Sequence, residues 1–477
     1  MERIARLAGA GTLDAMSSLL IVNGRVIDPA SGMDEVADVV IADGIVAAVG
    51  PRLNRSHAGR VIDAGGCIVT PGLIDPHVHL REPGMEEAET IQSGTAAAVA
   101  GGFTTVCCMP NTTPALDDDA MMEFVFTQAE RTGHCRVFPV GAASKGRKGH
   151  ELAEIMLMAR AGAVGFSDDG DCVESPALMS RALTYIKPTG LPFMQHCQEA
   201  SLTRGASMHA GSVSTRLGLS GWPRVAEEMI IERDARLNRG IGCPYHVQHL
   251  SSGGSVEIVR RARADGVPVT AEVSPHHLLL THERIQEGPR AEPGAGPAYW
   301  TNAKMNPPLR ERSDIATILE GVADGTITVL ATDHAPHTAD RKALEFESAP
   351  FGIVGLETAL ALYIKALIEP GVIGWPRLIA MLTIEPARLC ALDRLDAADG
   401  PSSARRGTRH RAGLGLGRLH VGGAGDITII DPGHEWTINA STFRSQCRNT
   451  PFDGWRVKGR AIATVVGGEV RFELPRG

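Results

Sequence analysis

Two histidines stand two residues apart in the run Asp75-Pro-His-Val-His-Leu-Arg81, inside a segment, LIDPHVHL, apolar enough to be a buried strand. On a strand, residues i and i+2 share a face, so His77 and His79 offer two imidazoles to one point. Similar runs end in the same residue types: Asp168 and Asp169 in AVGFSDD, His196 in PFMQHC, His249 in YHVQHLS and Asp333 in TVLATDHAP. Imidazole nitrogens and carboxylate oxygens that converge suit zinc, with manganese or cobalt as alternatives. A lone histidine in a strand is more often a hydrogen-bonded core residue. Three strands with a terminal histidine and two with a terminal aspartate are not explained that way. Parity also excludes. Asp168 and Asp169 face opposite ways, so only one can reach a metal, and spacing does not say which. His246 should face away from His249 and be structural, Cys197 should turn away from His196, and His276 and His277 have no evident role.

Eight apolar, β-rich runs carry these residues, at 73–80, 104–110, 136–143, 163–169, 192–197, 245–251, 269–277 and 328–336. Segments between them, such as AMMEFVFTQAERTG and SVEIVRRARADG, show helical periodicity and end in Gly. Strands alternating with helices predict an α/β fold, a (β/α)8 TIM barrel, whose strand ends form one rim where active sites of this architecture occur. Both ends of the chain read instead as β-hairpins, with turns expected at Asn23-Gly24, Asp43-Gly44 and Gly467-Gly468. Neither end has enough strands to be stable alone, so the two should build one small β-sandwich domain. The expected division is a disordered extension over 1–16, sandwich over 17–70, barrel over 71–395, a polar linker over 396–413 and sandwich again over 414–477. The Gly/Pro-rich insertion at 288–300 falls among the active-site loops, as a lid or a longer surface loop.

Bulk composition narrows the class. Of 477 residues, 43% are apolar and 21% charged, which fits a soluble globular protein. A net charge of −8 argues against nucleic acid or an anionic membrane as partner. No stretch approaches the roughly 20 apolar residues of a membrane span, and residues 1–16 lack the apolar run of a signal peptide. Nine cysteines without a CxxC pair suit a reducing cytoplasm better than a disulfide framework.

Longer blocks carry a resemblance. GLIDPHVHLREPG, GGFTTVCCMPNT, GFSDDG, YHVQHLS, TAEVSPHHLLL, KMNPPLR, ATDHAPH and APFGIVGLET resemble the cyclic amidohydrolases, and more closely the dihydroorotases of the bacterial type I class, from about residue 18 onward. The resemblance implies two zinc ions: His77, His79 and Asp333 at the more buried one, Asp169 as bridge, His196 and His249 at the second. Hydantoinases use a carboxylated lysine where this chain has Phe-Ser-Asp-Asp-Gly, and the shorter aspartate leaves both one and two metals open. It further implies that Arg81 and Asn111 bind a substrate carboxylate, that Asn306 and His337 complete the pocket, and that backbone at Phe351 and Gly352 holds a ring amide. Asp333 would be general acid and base, beside a water made acidic by the metal. The implied reaction is reversible cyclisation of N-carbamoyl-L-aspartate to L-dihydroorotate in pyrimidine biosynthesis, by a homodimer able to associate with an aspartate transcarbamoylase. Two other readings compete. A hydantoinase- or allantoinase-like enzyme would have no substrate carboxylate for Arg81, and a non-catalytic partner of the transcarbamoylase would lack metal ligands that this chain retains.

Overall fold

The computed structural model describes residues 18–54, 58–288, 299–394 and 414–475. The expected extension over 1–16, most of the 288–300 insertion and the 396–413 linker lie outside the described residues. The chain opens with β1 (Ser18–Asp28), β2 (Met33–Ala42), β3 (Ile45–Gly50), β4 (Arg60–Asp63) and β5 (Ile68–Pro71). Asp43 and Gly44 turn β2 into β3 with φ of 52° and 78°, the pair of positive values a two-residue hairpin turn demands. Asn23-Gly24 does not turn the chain as expected. β1 runs straight through it, and the register against β2 shifts between Ile21 and Gly24. Asn23, at φ 63°, forms a β-bulge there, its amide donating to Asp38 Oδ1 at 3.1 Å.

The barrel follows as β6 (Leu73–Val78), β7 (Phe103–Cys108), β8 (Arg136–Pro139) and β9 (Phe193–Gln195). A short parallel pair, β10 (Met208–His209) and β11 (Gly221–Trp222), lies in the loop after β9. The ring then continues as β12 (Tyr245–Val247), β13 (Val269–Val273) and β14 (Val329–Leu330). Parallel ladders join β6–β7–β8 and β9–β12–β13–β14. The fourth barrel segment is only a bridge: Phe166 pairs with Gly141 on one side and Phe193 on the other. Closure comes from Val78 against His334, where the His79 amide donates to the His334 carbonyl at 2.8 Å. The eight expected runs therefore close a ring, with the fourth and eighth cut short.

Helices cover the ring as the periodicity predicts. Ile91–Gly101 starts at Thr90, whose hydroxyl accepts from the Ser93 amide, and stops at left-handed Gly102. Asp119–Thr132 and Gly253–Ala264 are the two helices read from the sequence. Val106, Phe166, Phe193, Tyr245, Val273 and Leu330 lie in the largest core cluster, each fully or nearly fully buried. Each such side chain contributes roughly 1.5–3 kcal/mol on burial.

The chain ends with β15 (Ile427–Thr437), β16 (Arg456–Val466) and β17 (Glu469–Glu473), the last two joined at Gly467-Gly468. They extend the N-terminal strands into one eight-stranded sheet, β17-β16-β15-β5-β1-β2-β3, with β4 on β1. Ile45 at the start of β3 bridges back to Ala424, just before β15, so the sheet closes over a core that includes Ile21, Val39, Val46, Ile427 and Val465. This is the expected sandwich built from both ends. Arg136 on β8 pins it to the barrel through two bonds to Asp426 at 2.7 and 3.0 Å.

Candidate active site

The rim of the barrel gathers the polar strand ends. Asp169 lies at the centre: its Oδ1 is 3.4 Å from His77 Nε2, 3.5 Å from His249 Nε2 and 3.7 Å from His196 Nδ1, and its Oδ2 is 3.5 Å from His79 Nε2. Asp333 Oδ1 is 3.1 Å from His79 Nε2 and 3.6 Å from His77 Nε2. The neighbouring Asp168 points elsewhere and accepts from the Ala143 and Ser144 amides at 2.9 and 3.0 Å. Geometry thus separates the two aspartates that parity left equivalent.

Outer partners fix the proton on each ring, assigned here from the bonding pattern. His77 Nδ1 donates to Glu272 Oε1 at 2.6 Å, His79 Nδ1 to Asn111 Oδ1 at 2.8 Å, and His196 Nε2 to Gln198 Oε1 at 2.9 Å. The remaining nitrogen of each ring then turns a lone pair toward the aspartate oxygens. His77 Nε2 is buried and has no hydrogen-bond partner. Burial by itself would lower the His77 pKa, yet Asp169 and Glu272 carry it well above its ordinary value. The ring thus sits between two carboxylates, Glu272 at Nδ1 and Asp169 at Nε2.

Those observations fit a metal. Nitrogen and oxygen ligands at the usual 2.0–2.1 Å from zinc lie about 3.3 Å apart along the edges of a tetrahedron, and the separations above run from 3.1 to 3.7 Å. His77, His79 and Asp333 form one group, and His77, Asp169 and His249 another. His196 joins the second side through its Nδ1, 2.9 Å from His249 Nε2.

A cavity of about 390 Å³ opens above. It is lined by His79, Asp169, His196, His249 and Asp333, and by all six residues expected to bind substrate: Arg81, Asn111, Asn306, His337, Phe351 and Gly352. His77 lies fully buried beneath it. Arg81 is held by Nε donating to the Pro336 carbonyl at 3.1 Å. Burial brings its pKa down to about 10, so it stays charged at neutral pH. His337 Nε2 donates to the Phe351 carbonyl at 2.7 Å, so it offers no lone pair to Arg81 Nη2, 3.3 Å away. Arg81 Nη2 is thus left without an acceptor in His337, while Nε is held by Pro336. Asn306 Oδ1 is buried without a hydrogen-bond partner. The backbone of Gly352 already has protein partners. Its amide donates to the Lys304 carbonyl, and its carbonyl accepts from Lys342 and Asn449. The Phe351 carbonyl is likewise engaged, by His337 Nε2.

Sequence reasoning missed the layer below. Glu272 on β13 accepts from His77, from the His249 amide at 3.2 Å and from His246 Nε2 at 3.0 Å. His246 is structural as expected, but it does not face away from the site. The parity argument fails because β12 ends at Val247 and His249 sits at φ 32°, outside the strand. His277 also acquires a place: its Nε2 donates to the Pro307 carbonyl at 3.0 Å and steadies the turn that carries Asn306. Cys197 points away, against Tyr245. All nine cysteines are free.

Comparisons with known proteins identify the family. A family model described as Dihydro-orotase-like matches residues 66–255. Dihydroorotases of Geobacter sp. (strain M21) and Citrifermentans bemidjiense are 45% and 44% identical to the chain. Both alignments cover 96% of this chain, and 99% and 100% of theirs. Among solved structures, the L-hydantoinase (dihydropyrimidinase) of Arthrobacter aurescens aligns with a TM-score of 0.80 at 25% identity, covering 96% of each chain. A D-hydantoinase at 21% identity and a TM-score of 0.78 shares the fold. Barrel, terminal sheet and histidine–aspartate rim together define a cyclic amidohydrolase. Within that class, the chain belongs to the dihydroorotase family.

Proposed function

We propose that this protein catalyses the reversible cyclisation of N-carbamoyl-L-aspartate to L-dihydroorotate and water, with zinc as its metal. One observation carries the reading: a single cavity sets the ligand rim against Arg81 and Asn111, so a cyclic amide and its carboxylate can be met together. We assign His77, His79 and Asp333 to one zinc ion, His196 and His249 to a second, and Asp169 to both. Zinc bound there supplies Lewis acidity and makes a water acidic near neutrality. Arg81 binds the carboxylate, its planar fork matching the two oxygens, while Asn111 Nδ2 adds a donor. Asn306 Oδ1 accepts from a ring N–H, and His337 and the Phe351 backbone fix the other side of the ring.

Asp333 moves the proton. In ring opening it takes the proton of the attacking water and delivers it to the leaving ring nitrogen; in ring closure it removes one from the carbamoyl nitrogen. Burial alone would raise its pKa, but His79 and His77 hold the carboxyl well below its usual range, so it starts ionised. Closure converts a dianion into a monoanion and takes up one proton. Lower pH therefore favours the ring, about tenfold per pH unit. The family reading also carries a homodimer acting in the cytoplasm and able to associate with an aspartate transcarbamoylase.

His79→Ala tests the assignment. Elemental analysis of the purified variant should show lost zinc, and dihydroorotate turnover should fall by at least about a thousandfold. Turnover equal to the unsubstituted enzyme would sink the metal assignment.

A further inference from the structure

Arg147 lines the cavity and has no part in the scheme above. Among the described residues, four of the non-glycine residues with left-handed backbone line that cavity: Arg81 at φ 61°, His249 at 32°, Asp333 at 50° and Arg147 at 59°. Side chains disfavour this conformation, and it persists where surrounding structure holds it, often at working sites. The loop around Arg147 is held in that way. The Gly146 amide donates to Asp117 Oδ2 at 2.7 Å, and the Arg147 amide to the Ser144 carbonyl at 2.9 Å. Ser144 is itself clasped by Asp168, the aspartate the metal rim does not use.

The guanidinium is only half satisfied. Its Nη2 donates to Asp171 Oδ2 at 2.7 Å, while Nε, which completes the same two-donor edge, is buried with no hydrogen-bond partner. A buried donor left idle calls for an explanation. Asp171 is largely exposed and takes one donor where a well-placed carboxylate would take two. Gly170, next to Asp169, keeps the approach open. A Cβ there would lie 3.2 Å from Arg147 Nη2 and 3.4 Å from Asn111 Nδ2. The two donors thus flank one point beside the proposed bridging aspartate.

We propose that Arg147 is a further substrate-binding residue, donating from the Asn111 side to the carboxylate that N-carbamoylaspartate and dihydroorotate share. Asp171 holds it in the free protein and gives it up when substrate binds. This inference rests on the dihydroorotase reading of the same cavity. Because the carboxylate is common to both substrates, loss of Arg147 lowers kcat/KM equally in the two directions, as the fixed equilibrium constant requires.

Steady-state kinetics of metal-loaded enzyme with both substrates tests it. Arg147→Met should raise both KM values about tenfold with kcat within about twofold, and Arg147→Lys should recover part of the loss. Asp171→Asn should lower KM about two- to threefold by freeing Arg147, and that gain should vanish in the double variant. A merely structural ion pair gives the same direction of change for Arg147→Met and Asp171→Asn, which overturns the proposal. So does an unchanged KM in Arg147→Met while the unsubstituted enzyme turns over dihydroorotate. Absence of that turnover in the unsubstituted enzyme overturns the reading beneath it instead.

Discussion

Glu272 shows how the histidine rim depends on groups that never reach a metal. Its carboxylate takes the Nδ1 proton of His77 and the amide of His249, so it orients one residue on each side of Asp169. Burial by itself would raise its pKa, but His77 and His246 bring it down to about 2, and it remains ionised throughout the working range. Glu272→Gln keeps the shape and removes the charge. Metal affinity, measured by competition with a chelator, should fall about 10- to 100-fold; equal affinity in the two proteins would contradict the orienting role. The candidate ligands themselves were legible because each ends an apolar run. Glu272 was not, because a carboxylate inside TAEVSPHH carries no sign of the two histidines it will meet. Strand parity alone left Asp168 and Asp169 equivalent; the resemblance implied Asp169, and the Ser144 loop that engages Asp168 lies more than 20 residues away in sequence.

At the scale of elements, the segment 346–352 is positioned by two buried lysines. Lys304 Nζ donates to the carbonyls of Phe346, Glu347 and Ala349, and Lys342 Nζ to those of Pro350 and Gly352. Lysines in a sequence read as surface residues, so this bracing could not be anticipated. Burial, with Lys304 nearby, draws the Lys342 pKa down to about 7, whereas the unfolded chain keeps that proton to about 10.4. Between those values the unfolded state binds more protons, so this group makes stability rise with pH across that window. Lys342→Met removes the contribution. From pH 7 to 10 the unsubstituted protein should gain on the order of 3 kcal/mol relative to the variant, read from denaturant midpoints. Parallel pH profiles would show that the amine is not buried as described. Local turn chemistry was legible at Asp43-Gly44 and Gly467-Gly468, where both φ values are positive. Asn23-Gly24 carries the same signal, but it became a bulge because β1 continues to pair beyond it.

For the whole molecule, the alternation of eight apolar runs with helical segments sufficed to expect a closed barrel. It could not reveal that the fourth run pairs only through a short bridge centred on Phe166, since length of pairing depends on its neighbours. Joining of the two chain ends was likewise expected from the shortage of strands at each. What it did not disclose is that the C-terminal part also holds residues that line the cavity. Asn449 accepts from the His337 amide and donates to the Ala335 and Gly352 carbonyls, each at 3.2 Å. The C-terminal segment thus braces the barrel cavity, whose selectivity, on the function proposed above, rests on Arg81 and Asn111 beside the histidine–aspartate rim. That claim is tested most directly by ring opening of L-dihydroorotate, hydantoin and allantoin on the same zinc-loaded preparation. Dihydroorotate should have the highest kcat/KM by at least about a hundredfold, and Arg81→Met should erase most of that margin. Faster opening of hydantoin or allantoin than of dihydroorotate would contradict the account.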